Sequence, residues 1–184
     1  MSRLKERNSR KKKQKRRIMV LALFVILWAF LILFMSTRTY QQQTIRPLLI
    51  KTVHQLNINV NLPNITIHYA GHSNNLRTNP YGFVEFVFRK SAHMFVYGVL
   101  TLLAHYLFRR RWGKNMLSYL FPLILIVLIA SIDEYLQKFS VGRTSSPYDV
   151  LLDFTGGCIA LLLSIIIERL YRRRRSKDSS SLIT

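Results

Sequence analysis

Acidic side chains are scarce in this sequence: 8 Asp and Glu stand against 28 Lys and Arg in 184 residues, a formal net charge of +20. Cysteine is scarcer still, a single Cys158, which excludes an intramolecular disulfide and leaves a small apolar filler as its default role. The chain also has no Walker-type loop, no Gly-x-Ser-x-Gly elbow and no internal repeat, so the common phosphate-cradling and acyl-transfer signatures are missing. An excess of positive charge can serve nucleic-acid binding. Here the basic residues concentrate outside long apolar runs, which favours topology setting and attraction to anionic lipid, and no nucleic-acid partner is expected.

Charge is absent from the stretch IMVLALFVILWAFLILFM, residues 18–35, which follows RKKKQKRR. As a helix it spans roughly 27 Å, close to the thickness of a hydrocarbon core. A cleaved signal peptide also begins with a basic and then an apolar segment, but this run exceeds the usual apolar region and no A-x-A-like site follows it, so an anchor is preferred. Three further runs, about 91–108, 117–139 and 149–167, reach similar length once a few polar positions are accepted. The expected fold is an all-α integral membrane protein, a bundle of four transmembrane helices with a mixed extracytoplasmic loop over 36–80.

Lys and Arg fix the expected orientation. Ten lie in the tail 1–17, four in RRRWGK at 109–114, and six between Arg169 and Lys177, all on one side of a four-span chain. That side is cytoplasmic by the positive-inside rule, which predicts a multi-pass membrane protein with both termini cytoplasmic. The tail 168–184 ends in SKDSSSLIT, a composition that reads as disordered.

The scarce carboxylates are not spread evenly. Asp133, Glu134, Asp149 and Asp153 fall in SIDEYLQKFSVGRTSSPYDVLLDFTGG, residues 131–157, between two apolar runs. Counted from the cytoplasmic ends of their spans, His93, Asp133 and Asp153 lie at about 22, 24 and 21 Å, one depth on three helices. Lys90, His93 and Tyr97 share a face at i, i+3, i+7, with Arg89 close by; Asp133 and Gln137 are i, i+4; Arg143 closes the loop above. These ten residues form the predicted binding site, an outward-facing polar cluster whose cations and carboxylates neutralise one another. A purely structural ion-pair cluster is the competing reading, but ionisable groups within a membrane more often mark function. Gly156, Ala160 and Ser164 form a small-xxx-small packing stripe, and Pro122 a tolerated kink near a span end.

FRKSAHMFVYGVL and DEYLQKFSVGRTSSPYDVLLDFTGG resemble the two signature segments of the VanZ-like membrane proteins: Lys-x-x-His, then Asp-Glu-x-x-Gln, a Gly-Arg turn and an Asp-led helix ending in Gly. The matching positions are Lys90, His93, Tyr97, Asp133, Glu134, Gln137, Gly142, Arg143, Asp149, Asp153 and Gly157, within a VanZ-like core over 81–167. Relatives close to this pattern often carry an acidic residue before the tyrosine, where this chain has Val96. The resemblance implies a place in the bacterial plasma membrane and cell envelope and a link to lowered susceptibility to teicoplanin, a glycopeptide that targets lipid-linked wall precursors.

Two function classes follow. In the first, the site binds an anionic lipid head group or an amphiphilic antibiotic, with membrane lipids, a lipid-linked cell-wall precursor or a lipoglycopeptide as partners and no cofactor. In the second, the protein is an enzyme on a lipid-linked phosphate, with His93 and Asp133 or Glu134 as acid and base. The Pro-Ser-Gly-His and Ser-Arg…His segments of membrane lipid phosphatases are lacking, so no nucleophile is assigned. The sequence does not decide between these classes and assigns no oligomeric state.

The loop 36–80 is less legible. TIRPLLIKTVHQL reads as a short amphipathic surface helix, and NINVNLPNITIHYAG alternates Ile58, Val60, Leu62 with Ile65, Ile67, Tyr69 around Pro63, as a hairpin does. It is read as a solvated loop in preference to a lid over the polar site. His68 and His72 flank Gly71 outside any helical pattern, and no metal site is assigned to them or elsewhere.

Overall fold

The computed structural model describes residues 2–55, 62–143 and 145–181. In chain order these form α1 (Ser2–Ser36), α2 (Tyr40–Gln43), α3 (Arg46–Gln55), β1 (Thr66–Tyr69), β2 (His72–Asn75), α4 (Pro80–Trp112), α5 (Leu117–Gln137) and α6 (Pro147–Ser181). Segments of α1, α4, α5 and α6 are long and apolar enough to cross a membrane. The chain is an all-α, multi-pass membrane protein with one small hairpin.

The helices extend past the apolar runs that revealed them. Helix α1 reaches back into the basic tail, because adding a residue to an existing helix gains a hydrogen bond without a new nucleation cost. The same reason applies to α6, whose backbone is helical through Ser181 where composition reads as disorder. Helix α4 starts well before residue 91: Asn79 Oδ1 accepts from Gly82 N at 3.0 Å and Pro80 takes the first turn, where its missing N–H costs nothing. It stops at Gly113 (φ 75°), whose N–H reaches Arg109 O at 2.9 Å.

Helix α4 is the hub and packs against α1, α5 and α6. Tyr97, Leu100 and Ala104 of α4 are buried with Ile126 and Ala130 of α5 and Val25 and Ile32 of α1. The expected small-residue stripe lies in the α4–α6 contact. A Cβ on Gly156 would stand 2.5 Å from Met94 O, and one on Gly98 would stand 3.3 Å from the Ala160 Cβ, so the two backbones nearly touch. Ion pairs pin the pair at both ends: Lys90 meets Asp149 and Arg109 meets Glu168, each with a separation of 59 residues, which makes the two helices parallel and in constant register.

Helix α1 is attached mainly through neutral groups. Trp28 Nε1 donates to Val96 O at 3.0 Å, Ser36 Oγ to Asp133 O at 3.0 Å, and Ser140 Oγ to Ser36 O at 3.0 Å.

The hairpin differs from the expectation. Strand β1 contains Ile67 and Tyr69 but pairs onward with β2, Tyr69 opposite His72, and the turn is Ala70-Gly71 (φ 50° and 80°) instead of Pro63. Two residues with positive φ make the tight connection that matches strand twist, which a proline-centred turn does not supply. The expected first arm at Ile58 and Val60 lies outside the described residues. The surface-helix expectation corresponds to α3.

Candidate functional site

Helices α4, α5 and α6 bring their polar positions together at the hairpin end of the bundle, in two layers. In the upper layer Asp149, at the start of α6, accepts from Lys90 Nζ and from Tyr69 OH, the latter at 2.5 Å. Lys90 Nζ also lies 4.4 Å from the Tyr69 ring centroid. Burial first, and then the hydrogen bond to Asp149, raises the Tyr69 hydroxyl above its ordinary pKa, so it donates as a neutral phenol.

The lower layer holds His93, Tyr97, Asp133, Gln137 and Asp153. His93 Nδ1 lies 3.5 Å from Asp153 Oδ1, and one ligand-type atom from each of His93, Asp133 and Asp153 falls within 4.8 Å of the others. Gln137 Nε2 donates to Asp133 Oδ2 at 3.2 Å. Asp133 and Asp153 are each 2 % exposed, and Tyr97 is 1 % exposed. Among the described residues, neither the Tyr97 hydroxyl, which has Asp133 as its neighbour, nor Asp153 Oδ1 meets hydrogen-bond geometry.

The expected mutual neutralisation of cations and carboxylates is therefore only partly present. Lys90 serves Asp149, while Arg89 stands 5.9 Å from the Tyr40 ring and makes no ion pair among the described residues. Arg143 donates to Gln43 Oε1, and its buried Nε has no hydrogen-bond partner. Burial and then the charge of Arg89 lower the Arg143 guanidinium from its ordinary pKa, with Asp133 and Glu134 acting in the opposite sense. Glu134 makes its hydrogen bonds elsewhere: its Oε1 accepts from Ser146 N and its carbonyl from Ser145 Oγ, tying α5 to the approach to α6.

A cavity of about 490 Å³ opens beside the lower layer. His93, Tyr97 and Asp133 are among its polar lining, Arg89 and Arg143 add positive charge and Glu85 a second carboxylate, and Trp28, Leu31, Ile32, Phe88 and Val96 supply apolar wall. Lys90, Glu134, Gln137, Asp149 and Asp153 do not line it. A larger groove of about 1180 Å³ follows α4 and α6 towards Arg109 and Glu168. Its wall is largely aliphatic, with Leu102, Ile159, Leu163 and Ile167, and lacks the acidic cluster. A groove of that kind between apolar spans suits lipid chains, so the smaller cavity is the candidate site.

Sequence reasoning missed several neighbours. Glu85 is 5 % exposed and accepts from Thr44 Oγ1 (2.5 Å), Ile45 N (3.1 Å), Arg46 Nε (2.5 Å) and Tyr40 OH. It fastens the segment after α1 onto α4. Burial and then the bond to Glu85 raise the Tyr40 hydroxyl from its ordinary pKa. A signal was available, since Glu85, Arg89 and His93 stand at i, i+4, i+8 on one stripe. Tyr40, Gln43 and Tyr69 carried no such signal. They come from 36–80, so that segment packs on the polar cluster, which its reading as a solvated loop did not foresee.

The family model described as VanZ/LLP1 matches residues 21–168, a range that reaches all four candidate spans and takes in the whole cluster. The chain belongs to the VanZ/LLP1 family. No curated protein and no solved structure matches it. Within this VanZ/LLP1 chain, both signature segments face each other across α4, α5 and α6, joined through Lys90–Asp149 and His93–Asp153.

Proposed function

We propose that this VanZ/LLP1 protein binds the anionic head group of an amphiphile in the cavity beneath the hairpin, and acts in protection of the bacterial cell envelope, including lowered susceptibility to teicoplanin-type glycopeptides. The observation that carries the reading is the pairing of chemistries in one space: two arginines that form no ion pair among the described residues, with Glu85 of the same lining paired to Arg46, beside an apolar wall. A guanidinium with an unused N–H offers charge-assisted hydrogen bonds to phosphate or carboxylate, and the wall accepts the first carbons of a tail. The orientation proposed with it puts both termini in the cytoplasm and the cavity at the outer leaflet, following the distribution of Lys and Arg.

The test is direct. Purified protein in nanodiscs is titrated with a labelled polyprenyl phosphate, and product formation is followed in the same samples. Saturable binding that weakens at least tenfold in Arg143→Ala, with intact helicity, supports the reading. Equal binding by the variant removes it. Conversion of the phosphate would favour the enzymatic alternative, for which the contact of His93 with Asp153 is the motivating feature.

A further inference from the structure

We propose that His93, Asp133 and Asp153 bind a divalent metal ion of the manganese or zinc type at the floor of the cavity. The inference begins with a deficit of positive charge. Asp133 and Asp153 are both almost wholly buried, and among the described residues neither has a Lys or Arg within ion-pair distance. Gln137 gives Asp133 one hydrogen bond, and among the described residues Asp153 Oδ1 makes none and meets only His93 Nδ1, at 3.5 Å. Buried carboxylates ordinarily sit with a cation or a full set of donors, because desolvating them otherwise costs several kcal/mol. Lys90 pairs with Asp149, and Arg89 and Arg143, although they line the same cavity, form no ion pair with Asp133 or Asp153 among the described residues.

A single ion answers all of these features. One imidazole and two carboxylates on three different helices offer three ligand atoms within 4.8 Å of one another. Around a first-row divalent ion, ligand atoms lie about 3–4 Å apart, so modest contraction closes the site. Two carboxylates balance the charge of such an ion. The mixed nitrogen and oxygen set suits manganese or zinc better than a hard ion that demands oxygen alone. His93 and Asp133 border the cavity whereas Asp153 lies behind it, which leaves coordination positions open on the cavity side, the pattern of a metal that meets a ligand and not of a closed structural site. Gln137 donates to Asp133, and the Tyr97 hydroxyl, beside Asp133 on the cavity lining, can hydrogen-bond water or a group on the ion.

The ion site goes beyond the head-group reading and is tested without any lipid phosphate. Tag-free full-length protein, stripped with chelator and dialysed into neutral detergent, is titrated with Mn²⁺ and separately with Zn²⁺ by calorimetry. The expected result is one equivalent bound at micromolar or tighter affinity. Asp153→Asn and His93→Gln should weaken it by roughly 100-fold, while Glu168→Gln at the opposite end leaves it unchanged. Should the cavity variants fold poorly, pulsed electron paramagnetic resonance on the Mn²⁺-loaded parent protein provides a second measurement: coupling to an imidazole nitrogen is expected. Absence of saturable binding, absence of nitrogen coupling, or binding that survives Asp153→Asn but vanishes in a His68→Ala/His72→Ala variant would overturn the proposal. Head-group binding that persists in chelator alongside a failed metal titration would reject the ion alone.

Discussion

His105 Nδ1 lies 2.8 Å from the carbonyl oxygen of Ser118, the acceptor that Pro122 leaves without an intrahelical donor. In α5 that carbonyl would ordinarily receive the N–H four residues on, and proline has none. A carbonyl accepts only, so the histidine must carry its proton on Nδ1. The imidazole, 3 % exposed on α4, thereby completes the broken ladder of its neighbour.

Replacing His105 by Ala should cost about 1–3 kcal/mol from the stranded carbonyl alone, with a further loss from the cavity it leaves. In a Pro122→Ala background the carbonyl regains its helical donor, so the second substitution should cost less. Thermal or denaturant unfolding of the four proteins in one detergent measures the coupling, and strict additivity would reject the link.

Gly156→Ala should separate α4 from α6, since its new methyl would collide with Met94 backbone atoms at 2.5–2.9 Å that no side-chain rotation can move. A cost of about 1–3 kcal/mol is expected, the range for overpacking. Gly98→Ala, with the Ala160 Cβ at 3.3 Å, should be milder. Unfolding midpoints that rank the two variants in the opposite order would contradict this packing.

Tyr69→Phe keeps the ring beside Lys90 but removes the donor to Asp149. The expected loss of global stability is small, about 0.5–1.5 kcal/mol or a little more because the acceptor is charged. Local opening should be more sensitive. Hydrogen exchange of the hairpin amides should quicken, while exchange in the middle of α5 stays unchanged.

The proposed orientation predicts that, in a Cys158→Ser background, Ser73→Cys reacts with an impermeant maleimide on intact cells, and Lys114→Cys only after permeabilisation. The two positions lie at opposite ends of α4, in β2 and beyond the α4 terminus. The reverse labelling would invert the protein and put the cavity on the cytoplasmic side.

Hydropathy located the four spans because solvent partitioning depends on composition over a window, which one sequence displays fully. It located helix ends poorly. A backbone continues as long as its hydrogen bonds are made, so α1 and α6 run into charged sequence, and the true start of α4 is set by Asn79 and Pro80. The meeting of His93 with Asp133 and Asp153 was legible from equal depth on three spans. Which cation serves which carboxylate was not, because it depends on rotamers and on Tyr40, Gln43 and Tyr69 arriving from a segment whose periodicity gave local structure but not where it docks. Glu134, adjacent to Asp133 in sequence, turns to Ser146 because neighbouring residues on a helix diverge by about 100°.

The two ion pairs between α4 and α6 stand about 28 Å apart along the helices, at the same offset in sequence. A displacement of one helix along the other would break both together and drive Gly156 across the Met94 backbone. Shear between these helices is thus blocked, and the pair acts as a strut. Any breathing of the cavity belongs to the parts hung on that strut by neutral bonds, α1 through Trp28 and the Ser36–Ser140 contact.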